Sequence, residues 1–197
     1  MSSSGSGFAP IQWSDPLDAE AYLNAVPAGV TVKGMFITRL LDDAANAGVT
    51  VEAGGPYRGF KDYPLQEMMT LMLRLATTMH AELPLRDALR RLGRTAFPAL
   101  MQSMIGKVIF APVGRNMAGV LRLASKGYAV SLSVSNVRVH ELDEPRAVIV
   151  RLADIYNFAD SFQVGVFEGA FAYYDHEPTI AIKRHSLSDV ELLVRWV

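Results

Sequence analysis

The hydrophobic period of this chain changes from helical to strand-like near residue 128, and that change limits the folds open to it. Upstream, the stretch YPLQEMMTLMLRLATTMHAELP places Leu65, Met68, Met69, Met72, Leu75, Ala76 and Met79 at three- and four-residue intervals. That spacing puts them on one face of a helix. Downstream, YAVSLSVSNVRVHEL sets Val130, Leu132 and Val134 against Ser131, Ser133 and Ser135. Strict alternation predicts a half-buried strand. LDEP reads as a turn and RAVIVRL as a second strand, so residues 128–152 are expected to form an antiparallel hairpin. DIYNFADSFQVGVFEGAFAYY then predicts a helix, with Asp154 as its candidate N-cap. TIAIKRHSL and VELLVRWV follow as two more strands joined by SLSD. The expected fold class is α+β: N-terminal helices packed on a C-terminal antiparallel four-stranded sheet, in the order hairpin, helix, hairpin.

The helical half has its own punctuation. In WSDPLDAEAYLNAVP, Ser14 or Asp15 can cap a helix whose first turn holds Pro16. VTVKGMFITRLLDDAANAG begins strand-like and turns helical, with Gly48 placed to end it. VEAGGPYRGFKDYP is a loop. LPLRDALRRLGRTAFPALMQSMIG is helical, with Gly93 and Pro98 as expected breaks, and a third helix is expected over 113–125. The opening MSSSGSGFAP is Ser/Gly-rich, so residues 1–14 are expected to be a flexible tail before a single domain at 15–197, helical over 15–127 and sheet-forming over 128–197.

Composition removes several chemistries. There are no cysteines, hence no disulfide, thiolate zinc site or cysteine nucleophile. Net charge is −1, so the chain carries no overall basic footprint for nucleic acid. The N-terminus lacks the basic and apolar regions of a secretory signal, and no apolar run is long enough to span a bilayer. A cytoplasmic protein is the expectation. No phosphate-binding glycine loop, HExxH or GxSxG elbow occurs. His80, His140, His176 and His185 fall in four different segments, and no metal site or cofactor is expected from their spacing. His176 reads as a turn residue and His185 as a strand-surface residue.

Three groups of residues leave two readings each. Arg86, Arg90 and Arg94 share a helix face, either a solvated face or a patch for an anion or an acidic partner. Gly165 and Gly169 are four apart on one helix face. They allow close packing, or leave room for a ligand or partner chain. The methionine stripe is core, or an adaptable surface for a ligand or partner. Glu168 is a lone buried carboxylate or a solvated helix position.

VKGMFITRLL, YRGFKDYPLQEMMTLMLRLA and LPLRDALRRLGRTAFPALMQSMIGKV together resemble a myxobacterial paralogous family of uncharacterised proteins, over roughly residues 30–197. That family is similar in turn to a superfamily holding haem nitric-oxide/oxygen-binding (H-NOX) domains, 4-vinyl reductase-type ligand domains and TRAPP subunits. The resemblance implies helices around an antiparallel sheet, and a sensor or adaptor binding a small apolar ligand or acyl chain, or a partner. In the haem-binding branch the iron ligand is a histidine on the helix before the first hairpin. The corresponding NMAGVLRLASKGY has none. The branch also holds its haem propionates with Tyr-x-Ser-x-Arg. ADIYNFADSFQVG has Tyr156 followed by Asn157 and Phe158, with no arginine. No haem residue is carried over.

The leading expectation is therefore a non-catalytic regulatory or sensor domain, without haem. It would bind a small apolar ligand in a cavity between the helical half and the sheet, lined by Met68, Met72, Leu75, Phe97, Met101, Phe162 and Phe167. The alternative is an interaction module, a homodimer or adaptor for a signalling protein, using the methionine helix or the Gly165/Gly169 face. An enzyme would need a converging set from Tyr156, Asp160, Glu168 and His176.

Overall fold

The period switch falls at Leu132 rather than at residue 128 in the computed structural model, which describes residues 7–114 and 116–197. Ahead of it lie a strand β1 (Ala9–Pro10), a helix α1 (Ala19–Asn24), a strand β2 (Thr31–Lys33), a helix α2 (Gly34–Asn46), a strand β3 (Asp62–Pro64) and six helices. These are α3 (Leu65–Met79), α4 (Leu85–Gly93), α5 (Ala96–Gln102), α6 (Met104–Phe110), α7 (Met117–Arg122) and α8 (Ala124–Ser131). Behind it lie β4 (Asn136–Glu141), β5 (Ala147–Ala153), a helix α9 (Phe162–Tyr173), β6 (Pro178–Arg184) and β7 (Val190–Trp196).

The alternation of Val130, Leu132 and Val134 is thus not a strand. Residues up to Ser131 belong to α8, where the Ser131 hydroxyl donates to the Gly127 carbonyl at 2.7 Å. The chain leaves the helix at Leu132, which pairs with Val32, and the Ser133 hydroxyl accepts from the Thr31 amide at 2.8 Å. Contacts a hundred residues away decide the conformation here, and a local period cannot report them.

The sheet has five strands, not four, in the order β1-β6-β7-β5-β4, all antiparallel. One face repeats Val148, Val150 and Leu152 on β5 opposite Val194, Leu192 and Val190 on β7, all buried. Ile182 on β6 and Val137 on β4 extend that face. The opposite face carries ion pairs, Arg151–Asp189 at 2.8 Å and Lys183–Glu191 at 3.5 Å. The fifth strand comes from the segment expected to be tail: Ala9 pairs with Ile182 and Pro10 with Ala181. Proline, which cannot donate to a ladder, suits that edge. Residues 1–6 of the expected tail lie outside the described residues.

Caps and turns differ from expectation where long-range packing overrides local signals. Asp18, not Ser14 or Asp15, caps α1, accepting from Ala21 N at 3.0 Å. Pro98 sits in the first turn of α5, where its missing N–H costs nothing. The chain breaks instead at Ser103, whose hydroxyl accepts from Gly106 N and caps α6. The helix expected over 113–125 is α7 and α8, meeting at Leu123. The helix expected from Asp154 begins at Phe162. Asp154 and Phe158 take positive φ, 59° and 54°, so the chain turns twice before α9 starts. Phe158 is fully buried there, its ring 5.1 Å from that of Tyr22. α9 is apolar around nearly its whole circumference, as befits a helix enclosed by other elements.

Candidate ligand cavity and the ionic seam behind it

α9 has two working faces. Gly165, Glu168 and Gly169 fall on one side, and Gln163, Val166, Phe167 and Ala170 on the other. The first side presses onto α4. A Cβ added at Gly165 would lie 1.9 Å from the Arg90 carbonyl oxygen, and one at Gly169 2.1 Å from that of Arg94. Gly93 answers from α4: its Cβ would sit 2.1 Å from the Phe162 carbonyl oxygen. The two helices meet backbone to backbone, so Gly165 and Gly169 are filled by α4 rather than open to a ligand.

Charge closes the same seam. Arg90 contacts Glu168 at 2.7–2.9 Å and Asp87 at 2.9 Å, and its guanidinium lies 4.3 Å from the Trp13 ring centre. Arg94 reaches Glu168 at 2.8 Å. Arg86 is buried. It is ion-paired to Asp160, and it donates to the Pro16 carbonyl at 3.1 Å. Arg184 from β6 joins Asp160 at 2.8 Å. Arg86, Arg90 and Arg94 are thus each paired with carboxylates of the same chain, Asp160, Asp87 and Glu168. Glu168 is neither lone nor solvated. Tyr22 sits beside the Asp160 cluster, and burial, then the Asp160 carboxylate, push its phenol well above the usual 10.

The second side of α9 faces a cavity of about 80 Å³. Its walls come from α2, α3, α5, α6, α7, α8 and α9, with Val32 of β2, Leu132 and Asn157. No residue of the five-stranded sheet lines it, so the cavity lies between the helical half and α9, not between helices and sheet. Met68, Phe97, Phe162 and Phe167 line it as expected from helical spacing. Met72 and Leu75 do not: both are fully buried in the core beyond its wall. Met101 packs at the margin of that core and also misses the cavity. The methionine stripe is interior, so it offers no docking surface.

Sequence reasoning missed the polar edge of this cavity. The Tyr128 hydroxyl donates to Gln163 Oε1 at 2.5 Å. Gln163 Nε2 faces the Asn157 carbonyl at 3.5 Å. Asn157 and Gln163 are 3% and 2% exposed, and Asn157 Oδ1 has no hydrogen-bond partner among the described residues. Burial drives the Tyr128 phenol far above its usual 10, keeping it neutral. One signal was present: Gln163 is a carboxamide inside the apolar run FQVGVF. A second cleft, about 400 Å³, opens at the β4–β5 turn between Glu141, Arg146, His176 and Trp196, and is more polar.

The histidines stay apart. His176 Nδ1 lies 3.0 Å from the Val197 carbonyl, and His185 Nε2 is 3.6 Å from Glu191. Among the described residues no three His, Asp or Glu side chains are grouped to hold a metal. No single helix among them is long and apolar enough to cross a membrane.

A sequence profile described as a protein of unknown function, DUF2378, matches residues 26–197. The chain belongs to the DUF2378 family. Comparison with curated proteins finds no match. Among solved structures, this DUF2378 chain is similar to an H-NOX protein from S. oneidensis in the Fe(II)NO ligation state (TM-score 0.64, 12% identity, covering 84% of this chain and 99% of that one). It is also similar to the unliganded Fe(II) H-NOX protein from K. algicida (0.55, 16%, 84% and 96%). A third is an oxygen-binding H-NOX domain related to soluble guanylate cyclases (0.58, 11%, 83% and 92%). At these identities the likeness is one of fold: the DUF2378 chain has the H-NOX α+β architecture.

That fold raises haem as a candidate group. The cavity residues of this chain do not fit it. Haem iron takes His, Cys, Met or Tyr as its axial ligand. No described residue lining the cavity is a histidine or cysteine, and the Tyr128 hydroxyl is committed to Gln163. Met68 has a thioether of the kind that can ligate iron, but a cavity of about 80 Å³ has no room for a macrocycle.

Proposed function

We propose that this DUF2378 domain is a non-catalytic sensor that binds a small, mainly apolar molecule in the cavity beside α9, without haem. The observation that carries this reading is the cavity itself. It is walled mainly by apolar side chains from seven helices and placed where filling it would bear directly on α9. Cavities walled largely by apolar side chains take up small apolar guests. The H-NOX fold, whose relatives above are described with NO and oxygen ligation states, supports a ligand-binding role. Native mass spectrometry of the full chain, beside a denatured control, tests it. An added mass lost on denaturation is the expected result. A bare polypeptide, together with no uptake of xenon into the cavity by NMR, would sink the reading.

A second reading has its own observation. Met104 and Val108 on α6 are 76% and 70% exposed, with Ile105 beside them. This face, rather than the methionine helix or the glycine notch, supports the adaptor or homodimer alternative. Light scattering on the intact chain and on Val108→Glu distinguishes it: a dimer lost on substitution would favour association.

A further inference from the structure

We propose that the cavity selects neutral amphiphiles: a short apolar body carrying one head group that both donates and accepts a hydrogen bond, such as an alcohol, a primary amide or a protonated acid. The inference rests on the pocket reading above and adds the chemistry of the head group.

The polar edge is specific in what it leaves unused. Tyr128 donates to Gln163 Oε1 at 2.5 Å, which fixes the carboxamide and takes one of that oxygen's two lone pairs. The Gln163 amide nitrogen then has two N–H groups and one contact, at 3.5 Å, at the outer limit of a hydrogen bond. Asn157 Oδ1, on a residue 3% exposed, has no partner among the described residues. An unmet buried acceptor is a free-energy deficit that a guest can relieve. Both residues belong to the cavity lining, so a guest reaching this edge would find a donor in Gln163 and, on Asn157, an acceptor that no described residue meets. A hydroxyl or amide satisfies both. A ketone satisfies only the donor, and a hydrocarbon neither.

Charge and size set the remaining limits. Among the described residues no Asp, Glu, Lys, Arg or His lines the cavity, so an ionised head would meet no counter-charge from them. At about 80 Å³ the space is roughly half of the 150 Å³ apolar cavity that accepts benzene, which restricts the body to a few carbons.

The test is a titration of the full, methyl-labelled chain with n-pentane, 1-butanol, butanamide, 2-butanone and butyrate, followed by NMR shifts of the cavity methyls. Butanol and butanamide are expected to bind tightest, despite the stronger drive of pentane out of water. Butanone should follow, and butyrate should fail at neutral pH. Asn157→Leu should weaken butanol and butanamide about tenfold, the loss of one matched hydrogen bond, and put pentane first. Pentane ahead of both in the wild-type protein would overturn the head-group inference while leaving the pocket reading intact. So would tight butyrate binding, or indifference to Asn157→Leu. No binding by any of the five removes the pocket itself. Should Asn157→Leu not fold, the wild-type ranking decides, and Tyr128→Phe, which releases Gln163, gives a second variant with reduced preference for butanol over pentane.

Discussion

The two sides of α9 are built on opposite principles. Toward α4 the packing is saturated. Glycine notches bring backbones into contact, and Glu168 and Asp160 engage every arginine of the α4 ladder that faces them. Toward α2, α5 and α8 the packing is incomplete, with a cavity and a carboxamide oxygen left unpaired. The difference teaches that one helix can be packed to saturation on one side and incompletely on the other. The seam holds its position, and the cavity side leaves space unfilled.

The sharpest break in that contrast comes from the buried ions. Asp160→Ala strips Arg86 of its counter-charge while Arg86 stays enclosed, and should cost about 3–5 kcal/mol in urea unfolding. A loss below about 1 kcal/mol would mean that the seam is wetter than it is drawn.

Next comes a pair of identical substitutions on opposite sides of the comparison. Gly165→Ala forces a methyl to within 1.9 Å of a backbone oxygen and should cost about 3 kcal/mol, at the upper end of overpacking. Gly127→Ala, in α8 on the cavity wall, meets side-chain carbons only at 3.4–3.7 Å. There the better helix propensity of alanine should stabilise the chain by about 0.5–1 kcal/mol, the smallest effect considered, while shrinking the cavity. The same sign at both positions would erase the distinction between the faces.

Between these in size lies alkaline pH, which probes both sides. Tyr22 at the seam and Tyr128 at the cavity are held neutral in the fold above their usual pKa of 10. Above pH 10 the unfolded chain releases these protons while the folded chain keeps them. Stability is therefore complete below pH 10 and falls as pH rises beyond it, by up to about 1.4 kcal/mol per pH unit for each tyrosine. Unfolding curves at pH 9, 10 and 11 check the slope. Tyr128→Phe should remove part of it, and an unchanged slope would place the Tyr128 hydroxyl in water.

Legibility followed the length and regularity of each signal. α3 spans Leu65–Met79, the residues whose spacing announced it, because fifteen residues of one period outweigh local noise. β6 and β7 were readable for the same reason. The start of α9 was not. Its preceding turns use positive φ at Asp154 and Phe158, without the glycine or proline that would mark them. Four cavity residues, Met68, Phe97, Phe162 and Phe167, were reachable from helix faces. Tyr128 and Asn157 were not, since one lay in a segment that alternates like a strand and the other in an unmarked turn.

By itself the sequence determined the α+β class, the exclusion of thiol chemistry, and which residues must leave water. Periodicity and composition carry that much, because burial of a face is a local property. Only the tertiary structure decided what each face meets. Glu168 neutralises Arg90 from 78 positions away, α4 fills the glycine notches, and Gln163 turns its amide to Tyr128 at the edge of a cavity. Such pairings are set by how helices cross, and no spacing along the chain encodes them.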